Sequence, residues 1–242
     1  AEGATEITAG NLSGTEGEIL LQNTATIAVS DTVYLDDGDI EAEMLNLDAQ
    51  VLNANNAQIL SLGELALTTQ SIQADTSTIQ AVGDITIHSD ISVQQNDNAV
   101  LYSEGNIEIE TNIFSHTGGS ELLSLEDTTI DTMTLDNSDS SIMAKNITVI
   151  AEDVDNSNAE LLALESLEIT TDTLDNTDGV IQANTNVDVV ASGEVDNSRG
   201  NLFAVKDISV EASSFNNEDG LIGSNKTVSL KTTAFRGDRG AL

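Results

Sequence analysis

Asp36, Asp37 and Asp39 surround Gly38, which puts three carboxylates within four residues. Oxygen ligands this close together suit a hard cation such as Ca²⁺. The spacing follows neither the EF-hand loop nor the nonapeptide calcium repeat, so the stretch reads as a solvated acidic turn and no metal residue is assigned. His88 and His116 have no cysteine beside them, since the chain contains none, and they read as two isolated surface histidines. Arg236, Gly237 and Asp238 spell an integrin-type adhesion tripeptide immediately after Phe235, in what should be an exposed turn. Three-residue matches arise often by chance. No Ser-His-Asp order, phosphate loop or zinc spacing appears, so no catalytic or cofactor-binding residue is assigned.

Composition narrows the classes further. The 242 residues carry 42 Asp plus Glu against 7 Lys plus Arg, a formal charge of -35. Nucleic-acid binding requires cations that neutralise phosphates, and docking on anionic lipid requires them too; both are excluded as main functions. High net charge with few aromatics is also the signature of disorder, but a hydrophobic content of 39% with strict periodicity opposes that reading. No apolar run is long enough to span a bilayer. The N-terminal AEGATEITAG lacks the basic start and apolar middle of a signal peptide, so the chain is expected to be a mature protein or a piece of a longer one. Aromatics are only 2% of residues and Trp is absent, so any core must be thin and built from Ile, Leu, Val and Ala.

A repeat organises these residues. Asn137, Asn156, Asn176, Asn197 and Asn217 each close a Leu/Val/Phe-x-Asn triplet, in steps of 19, 20, 21 and 20 residues. After each Asn come a large aliphatic (Ile142, Leu161, Ile181, Leu202, Ile222), a small residue (Ala144, Ala163, Ala183, Ala204, Ser224) and two aliphatics separated by one residue, such as Val187 and Val189. A last apolar slot precedes the next Asn by two: Leu135, Val154, Leu174, Val195, Phe215. The ruler extends backwards through Ile19, Ile40, Ile59, Ile79, Leu101 and Leu122. There Asn96 holds the Asn slot, while Ala54, Ala74 and Thr117 replace it elsewhere.

The in-out-in alternation of the apolar pairs is that of a strand with one buried face. One such repeat cannot bury its face alone, whereas stacked repeats roof one another. The expected fold is therefore all-β: a right-handed parallel β-helix, or solenoid, of about eleven coils of 19–22 residues, forming a single segment over 1–242. Stacked Asn side chains can hydrogen-bond along the column, giving the five asparagines a structural role. The absence of Pro fits, because Pro would delete a ladder hydrogen bond. Open coils at the ends would invite edge pairing, so flanking segments of the same long chain are expected.

The residue between the large and small slots should point outward. It includes Tyr102, Leu123, Met143, Leu162 and Phe203, an apolar stripe that makes a candidate contact face for a partner. The outward residues of the other strand, such as Thr148, Glu168 and Asp188, are polar.

The spelling L/V-D-N-x-x-G-x-I/L-x-A-x-x-x-I/V-x-V-x-A/T resembles the filamentous haemagglutinin repeat, most clearly over 135–231. That family comprises large exoproteins of Gram-negative bacteria exported by two-partner secretion, including filamentous adhesins and the effectors of contact-dependent growth inhibition. The resemblance implies a secreted segment on the bacterial outer-membrane surface, and partners that are protein or glycan receptors on another cell. The family's secretion domain carries Asn-Pro motifs, and the chain has no Pro. The expected function is a structural and adhesive shaft. One alternative is a dedicated receptor-binding segment of a contact-dependent inhibition effector. The other is a polysaccharide lyase or glycoside hydrolase on a β-solenoid, which needs two carboxylates at a defined separation; here acids spread over all coils and no pair stands out.

Overall fold

A computed structural model describes residues 3–241, which fall into two compact units, Ala1–Glu126 and Asp127–Leu242. Among the described residues there is no helix, and within each unit the strand pairings are parallel. Each unit is a β-solenoid. A turn of it begins with a four-residue strand such as Gln58–Ser61 and continues through the paired aliphatics, as in Leu65–Gln73. In parallel pairing each strand's peptide groups bond to the strands of the turns above and below. Single turns therefore carry no closed hydrogen-bond set and are stable only when stacked.

The aliphatic slots form continuous columns. In the first unit Ile19, Ile40, Ile59, Ile79, Leu101 and Leu122 are in register. In the second unit Ile142, Leu161, Ile181, Leu202 and Ile222 are. Ile40 through Leu122, and all five of the second unit, are buried. Each fully buried Leu or Ile contributes about 1.5–3 kcal/mol, so a thin core of small branched residues suffices when it is repeated. The paired slots stack likewise, Leu65 on Ile85 on Ile107 and Leu167 on Val187 on Ile208.

The corner after the last apolar slot explains the Leu-Asp-Asn-x-x-Gly spelling. Two residues beyond the Asn slot the backbone has positive φ: Asp139, Asn158, Asp178, Arg199, Asp219 and Arg239 in the second unit, and Glu16, Asp37, Asn56, Thr76, Asp97 and Gly118 in the first. A hydrogen bond closes the turn, as from the Gly179 N–H to the Asn176 carbonyl at 3.1 Å. Positive φ at the third residue of such a turn is the mark of type II. The Asp of the triplet accepts the N–H two residues on, at 2.8 Å for Asp175 and Thr177, which is an Asx turn. The Gly meets a steric limit: a Cβ on Gly200 would lie 2.1 Å from the Asn176 carbonyl oxygen of the preceding coil. Ser140 and Ala159 fill the same position in other coils, so a single carbon is accommodated by a local shift. A branched side chain is not, and Gly200→Val is expected to destabilise the second unit by about 1–3 kcal/mol, read as a lowered melting temperature with Gly200→Ala between it and the wild type.

These twelve corners mark about twelve turns, against eleven filled large-aliphatic slots. The extra turn is made by Thr5–Ala9 and Leu12–Ser13, which pair with Glu18–Val29 and Thr32–Tyr34. The A/T position that ends the repeat spelling also points inward: Thr69, Ser89 and Thr111 in the first unit and Thr132 and Thr171 in the second are all buried, two residues past the apolar pair. Several of their hydroxyls tie down the backbone of the next bend, as from Ser89 Oγ to the Ser92 carbonyl at 3.0 Å and from Thr171 Oγ1 to the Thr173 carbonyl at 2.9 Å.

Candidate interaction surface

The inner corner column differs between the units. In the second unit Asn137, Asn156, Asn176, Asn197 and Asn217 are at most 1% exposed. Each Nδ2 donates to Oδ1 of the next, at 2.9, 2.7, 2.6 and 2.7 Å. In the first unit the equivalent column runs through Leu35, Ala54, Ala74, Gln95 and His116. Asn96 and Thr117 therefore do not hold the Asn slot. They stand one residue further on, in a second, half-buried column with Asp36, Asn55 and Asp75. There a side-chain oxygen accepts the next coil's N–H: Asp36 from Asn55, Asn55 from Asp75, and Asp75 from Asn96, each at 3.1 Å. The displacement comes from one extra residue in these two corners: Gln95 and His116 stand six residues before Leu101 and Leu122, against five from Ala74 to Ile79, and each longer corner has a second positive φ, at Asn98 and Gly119.

His116 is consequently no surface residue. It is fully buried, with its ring 5.6 Å from that of Phe114. His88 is partly exposed, with Nδ1 3.1 Å from Glu110 Oε2 and Nε2 3.5 Å from Asp90 Oδ1. Two of the three carboxylates of the acidic turn are engaged by the next coil, Asp36 with Asn55 at 3.0 Å and Asp37 with Asn56 at 2.6 Å. Among the described residues no group of acids or histidines has metal-binding geometry. Arg236 ends a strand, and its Nη2 lies 2.6 Å from Glu218 Oε2 on the preceding coil. Gly237 follows Asn217 in the inner corner column, and Asp238 is exposed at the turn. The tripeptide is thus built into a corner with its guanidinium held along the coil.

The outward stripe lies on one sheet in each unit. In the first, Leu60, Gln80, Tyr102 and Leu123 are in register; in the second, Met143, Leu162, Gln182, Phe203 and Gly223 are. Tyr102, Leu123, Met143, Leu162 and Phe203 are half-buried. Phe203 packs over Gly223, where a Cβ would be 3.0 Å from its Cδ2. A second exposed apolar column runs beside it, two residues on: Leu62, Val82 and Leu125 in the first unit, Leu164 and Val205 in the second. The signal for it was the out-in-out alternation continued one step past the small slot.

Ion pairs cluster at the corners of the second unit. Arg199 Nε and Nη2 donate to Asp178 Oδ1 and Oδ2 at 2.8 and 2.6 Å. This two-pronged hydrogen bond, with the guanidinium charge, holds the Asp178 carboxyl below its usual range and raises Arg199. A carboxylate held low stabilises the fold above its ordinary range and loses that contribution as pH falls through its folded value. Both groups are exposed, so the effect is small and screened by salt. Arg199→Ala is expected to lower the melting temperature near neutral pH in dilute buffer, with the deficit vanishing in acid and shrinking at high salt.

No curated protein and no solved structure matches the chain significantly. Residues 186–242 match the family model for the haemagglutinin repeat. That stretch includes Val187, Val189, Val195, Asn197, Leu202 and Ala204, which fill each slot of the coil described above. The match over that stretch, and the same coil built in both units, fit a filamentous haemagglutinin-type repeat region.

Proposed function

We propose that the chain is a shaft segment of a secreted bacterial surface exoprotein, a scaffold that carries contact-making parts away from the cell that exports it. The carrying observation is the repetition itself: the same coil recurs in both units, and residues 186–242 match the haemagglutinin repeat. A catalytic site needs a few side chains held in unique positions, whereas most of this surface restates one pattern. The family is associated with secreted surface exoproteins, which supports an extracellular location. Export by two-partner secretion and a role in contact-dependent growth inhibition are finer readings of the same kind.

A second reading, a dedicated receptor-binding segment, is favoured by the paired apolar columns of the outer sheet. Deleting two whole repeats of the second unit within the parent exoprotein separates the two. A shaft should still be exported and still support contact with target cells. Loss of target binding with export intact would overturn the shaft reading in favour of receptor binding. Release of reducing ends or unsaturated products from polysaccharides by the chain would overturn both.

A further inference from the structure

The first unit's outer sheet combines two features that together specify a partner. Its two outward columns place Leu60 and Leu62, Val82, Tyr102, and Leu123 and Leu125 on four successive turns. Adjacent turns lie about 4.8 Å apart, and Leu62, Val82 and Leu125 open the bend that ends each strand, within about 7 Å of the outward residue two positions before, so these six side chains make one contiguous strip. Leu62, Val82 and Leu125 are 53%, 42% and 47% exposed. The second feature is electrostatic. Residues 1–126 contain no Lys or Arg; all seven lie from Lys145 onward. The strip is rimmed by the exposed carboxylates of Glu43, Glu64, Asp84, Glu104 and Glu121.

We propose that this strip binds a cationic amphipathic segment of another protein, with apolar side chains on the strip and Lys or Arg facing the rim. Charge complementarity decides among occupants. A second copy of the unit would bring acid against acid, and like charges across an interface are costly. A purely basic partner would leave the apolar columns in water, and a purely apolar one would leave the rim unanswered. The strip is small for an interface, so the complex should be weak, formed rapidly by electrostatic steering and sensitive to salt. The inference goes beyond the shaft reading, since a shaft requires no partner on its flank.

The test uses the full chain and three labelled peptides: a Leu/Lys amphipathic helix, its Leu/Glu counterpart and an oligolysine of the same charge as the first. Fluorescence anisotropy in dilute buffer is expected to show the Leu/Lys peptide binding at least about tenfold more tightly than either other peptide. Leu62→Ser with Leu125→Ser should weaken it by a similar factor while the strand signal in circular dichroism and the melting temperature hold. The more exposed single change Leu62→Asn covers the case in which the double variant unfolds. Glu64→Gln with Glu104→Gln should weaken binding in dilute buffer and make little difference in high salt. Equal binding by oligolysine would reduce the effect to net charge. Equal binding by the Leu/Glu peptide, or no loss in the folded strip variants, would also overturn the proposal, as would self-association of the chain through this face.

Discussion

Replacing Asn176 by Ala is expected to lower the stability of the second unit by about 2–6 kcal/mol. Asn176 sits in the middle of the buried column, accepting from Asn156 Nδ2 at 2.7 Å and donating to Asn197 Oδ1 at 2.6 Å. Truncation strands one donor and one acceptor away from water, and each buried, unpaired group costs about 1–3 kcal/mol. The Asn156 amide keeps only long contacts, 3.4 Å to the Ala159 and Val180 carbonyls, so little compensates. N176D supplies a sharper check. At neutral pH its carboxylate still accepts from Asn156, but it faces the Asn197 carbonyl oxygen with no proton to offer. Burial and that facing oxygen raise the folded pKa of the new acid. A raised folded pKa means the protonated variant is favoured below the unfolded value of about 3.9, and stability is lost as pH rises through and beyond it. N176D should therefore lie closest to the wild type in acid and fall behind steadily toward pH 7, in denaturant titrations of both proteins at each pH. A change below about 0.5 kcal/mol for N176A would place it among ordinary surface substitutions and remove the ladder as a source of stability.

The sequence carries the aliphatic columns openly because alternation is a physical constraint on every coil. Ile142, Leu161, Ile181, Leu202 and Ile222 can be aligned without a structure, and they lie in one column. The outward stripe follows from the same rule. Corners are harder, because a bend is fixed by backbone geometry and not by which letter recurs. Asn96 carries the expected letter, yet the corner that follows holds one extra residue, with a second positive φ at Asn98, and Gln95 enters the core in its place. His116 pairs with Gln95 in the inner column, its own corner lengthened in the same way at Gly119, against the usual exposure of histidine. The Asp of the triplet and the Gly three residues beyond the Asn were visible as spelling. Their reasons were not: one caps a turn, the other yields to a carbonyl in the coil before it. Both involve contacts to atoms that a linear pattern does not locate.

Gln95 yields the opposite expectation to Asn176 from the same chemistry. Its side chain is fully buried, and neither Nε2 nor Oε1 has a hydrogen-bond partner among the described residues. Its neighbours in the inner column are Ala74 and His116, so the rung that Asn156 provides for Asn176 has no counterpart. A buried amide without partners is a standing penalty of about 1–3 kcal/mol. Methionine has nearly the same length and shape, keeps the flexible stem and carries no group that must be satisfied. Gln95→Met is therefore expected to raise the stability of the first unit by about 1–3 kcal/mol, seen as a higher unfolding midpoint with an unchanged denaturant slope. Gln95→Ala should do worse than Met, because it removes the polar group and leaves a cavity. If Met destabilised the unit as strongly as Ala does, the amide would have to be bonded to an ordered water, and the first unit's inner column would be a solvated ladder instead of a broken one.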